Sequence, residues 1–154
     1  MSEQQQEAPV FSVEKLYVKD LSVEVPNAPG VFTVQDAPSI EIQLRTEGQN
    51  VGESLFEVTL TVTVTAKHDD KVAFLIEVAQ SGLFVLRNIP AESMEPLIAI
   101  ACPNLLFPYA REAISDATTR AGFQPVVLQP VNFEALYMER QQAQAAQAEQ
   151  ASLQ

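Results

Sequence analysis

Residues 55–78, LFEVTLTVTVTAKHDDKVAFLIEV, decide the fold. From Leu55 to Ala66 the side chains alternate: Phe56, Val58, Leu60, Val62 and Val64 are interleaved with Glu57, Thr59, Thr61, Thr63 and Thr65. A period of two puts the two sets on opposite faces of a strand, one buried and one wet. KHDDK (67–71) is polar and short enough for a hairpin connection. Beyond it, over 72–80, Val72, Phe74, Ile76 and Val78 resume the inward row, while Leu75 and Glu77 point outward.

Upstream the same pattern recurs twice. In VFSVEKLYVKDLSVEV (10–25) the odd row carries Phe11, Val13, Tyr17, Leu21, Val23 and Val25, and the even row carries Ser12, Glu14, Asp20, Ser22 and Glu24. Lys15 and Lys19 break the odd row, and Leu16 and Val18 break the even one, which predicts a bulge or a second contact surface there. PNAPG (26–30) stops this strand, because proline removes a ladder donor and presets a turn. SIEIQLRT (39–46) puts Ile40, Ile42 and Leu44 on one face, and TEGQNVGES (46–54) reads as a loop. Four strands in a row, each with a polar face, predict an antiparallel sheet wetted on one side. Something must cover the other side.

The second half supplies the cover, so the fold class is α+β: a four-stranded antiparallel sheet with helices packed on one face. Asn88-Ile89-Pro90 opens a short helix over about 91–101, since proline is tolerated in a first turn. In CPNLLFPYARE (102–112), Pro103 is expected to end that helix and Pro108 to start the next, making a corner. Leu105, Leu106 and Phe107 would plug the bend into the core, with Arg111 and Glu112 on its wetter side. The second helix is expected to reach Ala121, with Gly122 as its C′ residue. Leu106, Ala110, Ala113, Ala117 and Ala121 recur along it at spacings of three or four, and such a narrow row of small side chains lets another helix approach closely. Asn132 is a good N-cap for a last helix, with Phe133, Leu136 and Tyr137 on its apolar side. Residues 1–9 are expected to be loose, 10–139 to form the folded domain, and the Gln/Ala-rich 140–154, which has no apolar stripe, to be a flexible tail.

Composition narrows the function. The chain has 154 residues, enough for one domain, and a formal net charge of −11. Nucleic acids and anionic membranes need Lys and Arg on their partners, so this charge argues against both and favours a basic partner. A single Cys permits no internal disulfide, MSEQQQEAP is no signal segment, and no apolar run approaches the ~20 residues that span a bilayer. A soluble cytoplasmic domain is expected.

Catalytic chemistry finds little support. Cys102 needs a base to become a thiolate nucleophile, and the one histidine, His68, sits in a polar turn. His68-Asp69-Asp70 reads as a solvated hairpin rather than a metal site. GxGxxG, GxxxxGK[ST] and HExxH do not occur. No enzyme, cofactor or metal is expected.

Apolar surface, by contrast, is in excess. The sheet has one apolar face, the alanine row asks for a helix partner, and FQPVVLQPV (123–131) is apolar without period, so it should lie extended across apolar surface. Self-association and a leftover apolar binding groove are the expected consequences. On the wet face, Asp20, Glu24, Leu75 and Glu77 make a flat acidic surface on which a basic partner could dock.

CPNLLFPYARE, with KDLSVEVPNAP (19–29) before it and PVNFEALY (130–137) after it, closely resembles the SecB family of bacterial export chaperones, from about Phe11 to Met138. The resemblance implies a homotetramer, a dimer of dimers, with helices between two eight-stranded sheets. It implies ATP-independent binding of unfolded precursor proteins in the cytosol and handover to the motor ATPase SecA. Asp20, Glu24, Leu75 and Glu77 match the family's motor-docking surface, and the zinc there would belong to the motor. The alanine row becomes the assembly interface. The client groove draws on Ile40, Ile42, Leu44, Phe123, Val126, Leu128, Phe133, Leu136 and Tyr137. The chain departs from the pattern at Gln35-Asp36 and Val23, where relatives often carry an aromatic side chain. An adaptor on the same fold, serving another partner, is the rival reading.

Overall fold

The structure, a computed structural model, describes residues 7–153. Four strands form one antiparallel sheet: β1 (Val10–Glu24), β2 (Ser39–Gly52), β3 (Leu55–His68) and β4 (Lys71–Arg87), in the order β1-β4-β3-β2. The alternation of 55–78 is what builds its centre. Val58, Leu60, Val62 and Val64 of β3 and Phe74, Ile76, Val78 and Phe84 of β4 are all buried on one face. The hairpin between them turns through Asp69, whose φ of 54° a short polar side chain tolerates.

β2 and β4 run further than the spacing predicts. The expected loop 46–54 is mostly strand, because β2 stays paired with β3 as far as Gly52↔Leu55. β4 continues through Ser81-Gly82 to Arg87. Gly82 there is a fitting residue rather than a breaker: a Cβ on it would lie 2.8 Å from the Phe84 ring and 3.3 Å from Leu106 Cδ2.

β1 carries two irregularities, at Glu14 and at Lys19, each left without a partner residue on β4. Each bulge shifts the pleat by one residue, which exchanges the faces. Phe11 and Val13 therefore pair with the helix-face positions Leu86 and Phe84. Between the bulges Leu16 and Val18 take over that face, beside Gly82 and Gln80. Tyr17, expected in the buried row, is turned to the outer face beside Ser81. After Lys19 the phase returns, so Asp20 and Glu24 lie on the outer face as the alternation predicts.

The corner at CPNLLFPYARE is not there. α1 (Ala91–Pro96) runs through one wide turn, 97–101, into α2 (Cys102–Arg120) without a break. In that turn the Cys102 N–H donates to the Leu97 carbonyl five residues back. Proline removes a donor and crowds the carbonyl of the preceding turn, but its fixed φ is helical. One widened turn just before Pro103 accommodates both effects, and the helix goes on. Leu106 and Phe107 are buried as expected, whereas Leu105 is exposed.

α2 ends as its sequence predicts. Gly122 (φ 94°) donates to the Thr119 carbonyl, and Phe123 to that of Thr118, the paired bonds of a glycine C-cap. The segment 123–131 lies extended, pinned where the Val126 N–H donates to the buried Thr118 hydroxyl at 2.9 Å. Asn132 caps α3 (Phe133–Ser152), its Oδ1 accepting from the Ala135 N–H at 3.0 Å. The helix does not stop near 139; it continues exposed to Ser152, as its Gln/Ala composition permits. At the other end, Glu7 and Ala8 accept from the Asn88 side chain, so this part of the segment expected to be loose is held; residues 1–6 of it lie outside the described residues.

Candidate functional site

Two surfaces carry the predicted residues. The outer sheet face has cross-strand pairs Asp20↔Ala79, Ser22↔Glu77 and Glu24↔Leu75, so Asp20, Glu24, Leu75 and Glu77 form one cluster along the β1–β4 seam. Asp20 and Glu24 are exposed; Leu75 and Glu77 are half-buried among the threonines of β3. The Thr63 hydroxyl donates to the Glu77 carboxylate at 2.9 Å and fixes its direction. The twist of the sheet makes this face a shallow trough of about 550 Å³, into which Asp20 and Glu77 both project.

The same trough holds a network that the spacing did not predict. Tyr17 and Lys19 of β1 reach over β4 to Glu57 of β3, and Gln49 of β2 reaches it from the other side. Lys19 Nζ is 2.7 Å from Glu57 Oε1, and Gln49 Nε2 is 3.0 Å from the same oxygen. The Lys19 ammonium, then the Tyr17 hydroxyl, hold the Glu57 carboxyl below the ordinary carboxylate value. Desolvation and the Glu57 charge push the Tyr17 hydroxyl up to about 12. Among the described residues, the ion pairs on this face join Lys19 to Glu57 and Arg45 to Glu47; Asp20, Glu24 and Glu77 take part in none. The face therefore keeps Lys19 and Arg45 paired, while Lys15, beside Leu83, and the carboxylates of Asp20, Glu24 and Glu77 stay outside the ion pairs. The signal for this network was the pair of lysines interrupting the odd row, since the bulges that excuse them are what deliver Tyr17 outward.

The second surface is apolar. Ile40 and Ile42 share the helix face of β2, yet remain 46% and 44% exposed, because the helices cover β3 and β4 and stop short of this edge. Further along the strand, Leu44 meets Phe133, Leu136 and Tyr137 of α3, with Ala99 of the wide turn between them. The crevice there is only about 30 Å³, the room of a single water, so it is a seam and not a groove. The nine expected groove residues thus separate. Leu128 and Phe133 are core, the Phe133 ring packed edge-on to Phe107 at 5.9 Å. Phe123 and Val126 are partly buried against the core, with the Phe123 ring 4.6 Å from Phe74 and 5.2 Å from Phe32. Leu44, Leu136 and Tyr137 line the seam, Leu136 half open at its mouth; Ile40 and Ile42 face outward.

The alanine row is in a different place from the one expected. Leu106, Ala110 and Ala117 are buried within the chain against the sheet, and Ala113 and Ala121 are half-buried. The small size of Ala110 and Ala117 lets α2 approach its own sheet, so Leu106, Ala110 and Ala117 offer no free surface, while Ala113 and Ala121 stay partly open. The side of α2 that remains open presents Leu105 and Tyr109. On β1 the helix-face row Phe11, Val13, Val18, Leu21 and Val23 is also left 38–49% exposed.

Cys102 is fully buried in the helix layer, and desolvation pushes its thiol up to about 12, the opposite of what a thiolate nucleophile needs. His68 lies at the far hairpin, in a cleft with Asn27, Val31 and Val72. Among the described residues no three His, Cys, Asp or Glu side chains gather as metal ligands, and no helix is long and apolar enough to cross a membrane.

Comparison with known proteins places the chain among relatives of one kind. Residues 4–144 match the family model for SecB, preprotein translocase subunit SecB. The Protein-export protein SecB of Dechloromonas aromatica is 65% identical over 142 residues, covering 92% of this chain and 93% of that protein. The Protein-export protein SecB of Chromobacterium violaceum is 60% identical over 148 residues, covering 96% and 98%. A solved Mycobacterium tuberculosis SecB-like chaperone, in complex with a ChAD peptide from an antitoxin, superposes with a TM-score of 0.65 at 16% identity, covering 79% of this chain and 90% of that one. That likeness shows the shared fold.

Proposed function

This chain belongs to the SecB family, and on that premise we propose that it is a protein-export chaperone: it binds unfolded precursor proteins in the cytosol without ATP, keeps them competent for translocation, and delivers them to the SecA motor. The observation that carries this reading is the uncovered apolar edge at Ile40, Ile42 and Leu136, beside a wholly separate acidic face. Apolar side chains left uncovered side by side on one strand are what a binding site for apolar segments offers. It suits clients that differ in sequence, since it makes no demand for particular polar side chains. Asp20, Glu24, Leu75 and Glu77 form the motor's docking surface, where free carboxylates steer a basic segment in and Leu75 gives it an apolar anchor. The two functions sit on opposite faces of one sheet, so a loaded chaperone still presents its docking face.

Assembly is a homotetramer, a dimer of dimers. Its contacts run along the uncovered row of β1 and the Leu105–Tyr109 side of α2, the apolar surfaces that the chain's own helices leave open. A net charge of −11 per chain keeps such an assembly soluble when loaded. Light scattering on a sizing column tests the whole reading. A mass of four chains that co-elutes with a precursor diluted from denaturant, and not with the same precursor once folded, is expected. A monomer that ignores the unfolded chain overturns it.

A further inference from the structure

Lys19 and Asp20 are consecutive in β1, yet both line the outer-face trough. The bulge makes this possible. Lys19 has no partner residue on β4, so the pleat skips it and Asp20 follows on the same side. A cation therefore stands beside the carboxylate at one end of the docking cluster. Opposite charges this close attract, and an Asp20 already paired with Lys19 would offer little to a basic partner. The two do not pair. Lys19 Nζ lies 2.7 Å from Glu57 Oε1 instead, and among the described residues Asp20 takes part in no ion pair.

Glu57 takes the ammonium because its carboxylate is prepared for it. The side chain is only 13% exposed. It accepts from the Tyr17 hydroxyl of β1 and, at 3.0 Å, from Gln49 Nε2 of β2. A carboxylate already oriented by two donors and shielded from water loses less hydration and less freedom on taking a third donor than an exposed aspartate does. The reach is long, since β1 and β3 lie two ladder spacings apart, about 10 Å, and the bond draws the Lys19 ammonium across β4. The other cations of this face do not crowd Asp20 either. Arg45 is engaged with Glu47 at 3.0 Å. Lys15 stands opposite Leu83 and Asp20 opposite Ala79, a separation of roughly 13 Å along the strand, beyond the screening length of about 8 Å at physiological salt.

We propose that Glu57 is a positioning residue of the docking face: by holding Lys19 across β4 it keeps the ammonium off Asp20 and Glu77 and leaves their carboxylates free for a basic segment of the motor. This rests on the docking reading and adds to it a residue that acts through Lys19 rather than on the partner. Tyr17 and Gln49 belong to the same clamp, because they aim the carboxylate that does the holding. Released, Lys19 has Asp20 next to it in the chain and Glu77 in the same trough. Either pairing would cancel a charge that the partner reads.

A double-mutant cycle at positions 57 and 19 tests the clamp, with affinity for the SecA motor read by titration calorimetry and stability read by urea in parallel. Glu57→Gln is expected to weaken motor binding about three- to tenfold. Lys19→Met alone is expected to stay within about twofold of the wild type, because the ammonium it removes is already held away. Adding Lys19→Met to Glu57→Gln is expected to restore motor affinity to within about twofold of the wild type without restoring stability, a split that a merely structural Glu57 would not produce. Glu41→Gln removes the same charge from an exposed position of the same face, outside its ion pairs, and is expected to stay within about twofold. Additive effects at 57 and 19, wild-type affinity in Glu57→Gln, or an equal loss in Glu41→Gln each overturn the clamp. Charge reversal of Asp20, Glu24 and Glu77 separates that failure from failure of the docking reading. If the reversed protein binds the motor like the wild type, the docking reading falls and the clamp with it. If reversal weakens binding while positions 57 and 19 show no coupling, the clamp alone falls.

Discussion

The Tyr17 hydroxyl donates to the Glu57 carboxylate across an intervening strand, from β1 over β4 to β3. Two bulges in β1 make the contact possible, and Lys19 completes it from the second of them. The network ties together strands that share no ladder, and it keeps the Lys19 ammonium occupied beside the free carboxylate of Asp20. Tyr17→Phe removes one donor to a charged acceptor, so stability to urea should fall by about 1–3 kcal/mol.

The pH dependence has a definite sign. Glu57 has its carboxyl lowered in the folded state, so its contribution is present above the unfolded value near 4.5 and is lost as pH falls through the lower folded value. Tyr17, raised to about 12 from 10.0, contributes below pH 10 and loses that contribution as pH rises toward 12. Urea midpoints across acid pH should therefore decline less steeply in Glu57→Gln than in the wild type. Equal slopes would remove Glu57 from the account.

Charge reversal on the outer face separates the two surfaces. Asp20→Lys, Glu24→Lys and Glu77→Lys together should weaken motor binding at least about tenfold, with the loss shrinking at high salt. Client binding should stay within a factor of about two, because these side chains lie on the face opposite Ile40 and Ile42. Titration calorimetry against each partner reads both.

Exposed and buried members of the apolar set should behave oppositely. Ile40→Ser with Ile42→Ser should weaken binding of unfolded clients while changing stability little, since both side chains are nearly half exposed. Phe133→Ala, at a buried ring packed on Phe107, should cost about 3–5 kcal/mol in stability. A client defect in the second variant without destabilisation would reverse the assignment of that residue.

Gly122 is a position only glycine fills easily. At φ 94° a side chain is strained, and its Cβ would meet the Phe32 ring at 2.9 Å. Gly122→Val should lower stability by about 1–3 kcal/mol. Adding Phe32→Ala should recover the part due to the clash and leave the backbone strain, which a double-mutant cycle separates.

Cys102 should be silent. A thiol reagent should modify it only at the rate of unfolding, given its full burial and a thiol pushed up to about 12. Rapid modification of the folded protein would show that the helix layer opens locally.

The centre of the fold was legible because β3 and β4 obey a single period from Leu55 to Ala66 and from Phe74 onward; only next to the hairpin does a register shift at Ala73 break it and set Val72 beside Lys67. Caps were legible for the same local reason: Asn132 and Gly122 act within one turn of themselves. Pro103 and Pro108 misled, since proline's cost to a helix depends on whether a neighbouring turn can widen, and 97–101 does. The alanine row misled because a spacing of three or four says that a face is small without saying what it faces. Here Leu106, Ala110 and Ala117 face the chain's own sheet, and Ala113 and Ala121 are half-buried.

The sequence by itself determined the sheet, the wet and dry faces of its central strands, the caps at Gly122 and Asn132, and the placing of Asp20, Glu24, Leu75 and Glu77 on one surface. All of these follow from neighbours within a few residues and from the period of the pleat. Only the tertiary structure decided which apolar residues are core and which are left uncovered. That depends on how far α2 and α3 extend across the sheet, a distance no local period encodes. It also decided that Tyr17 turns outward to Glu57, because two register shifts against β4 must be counted before the face of any residue between them is known.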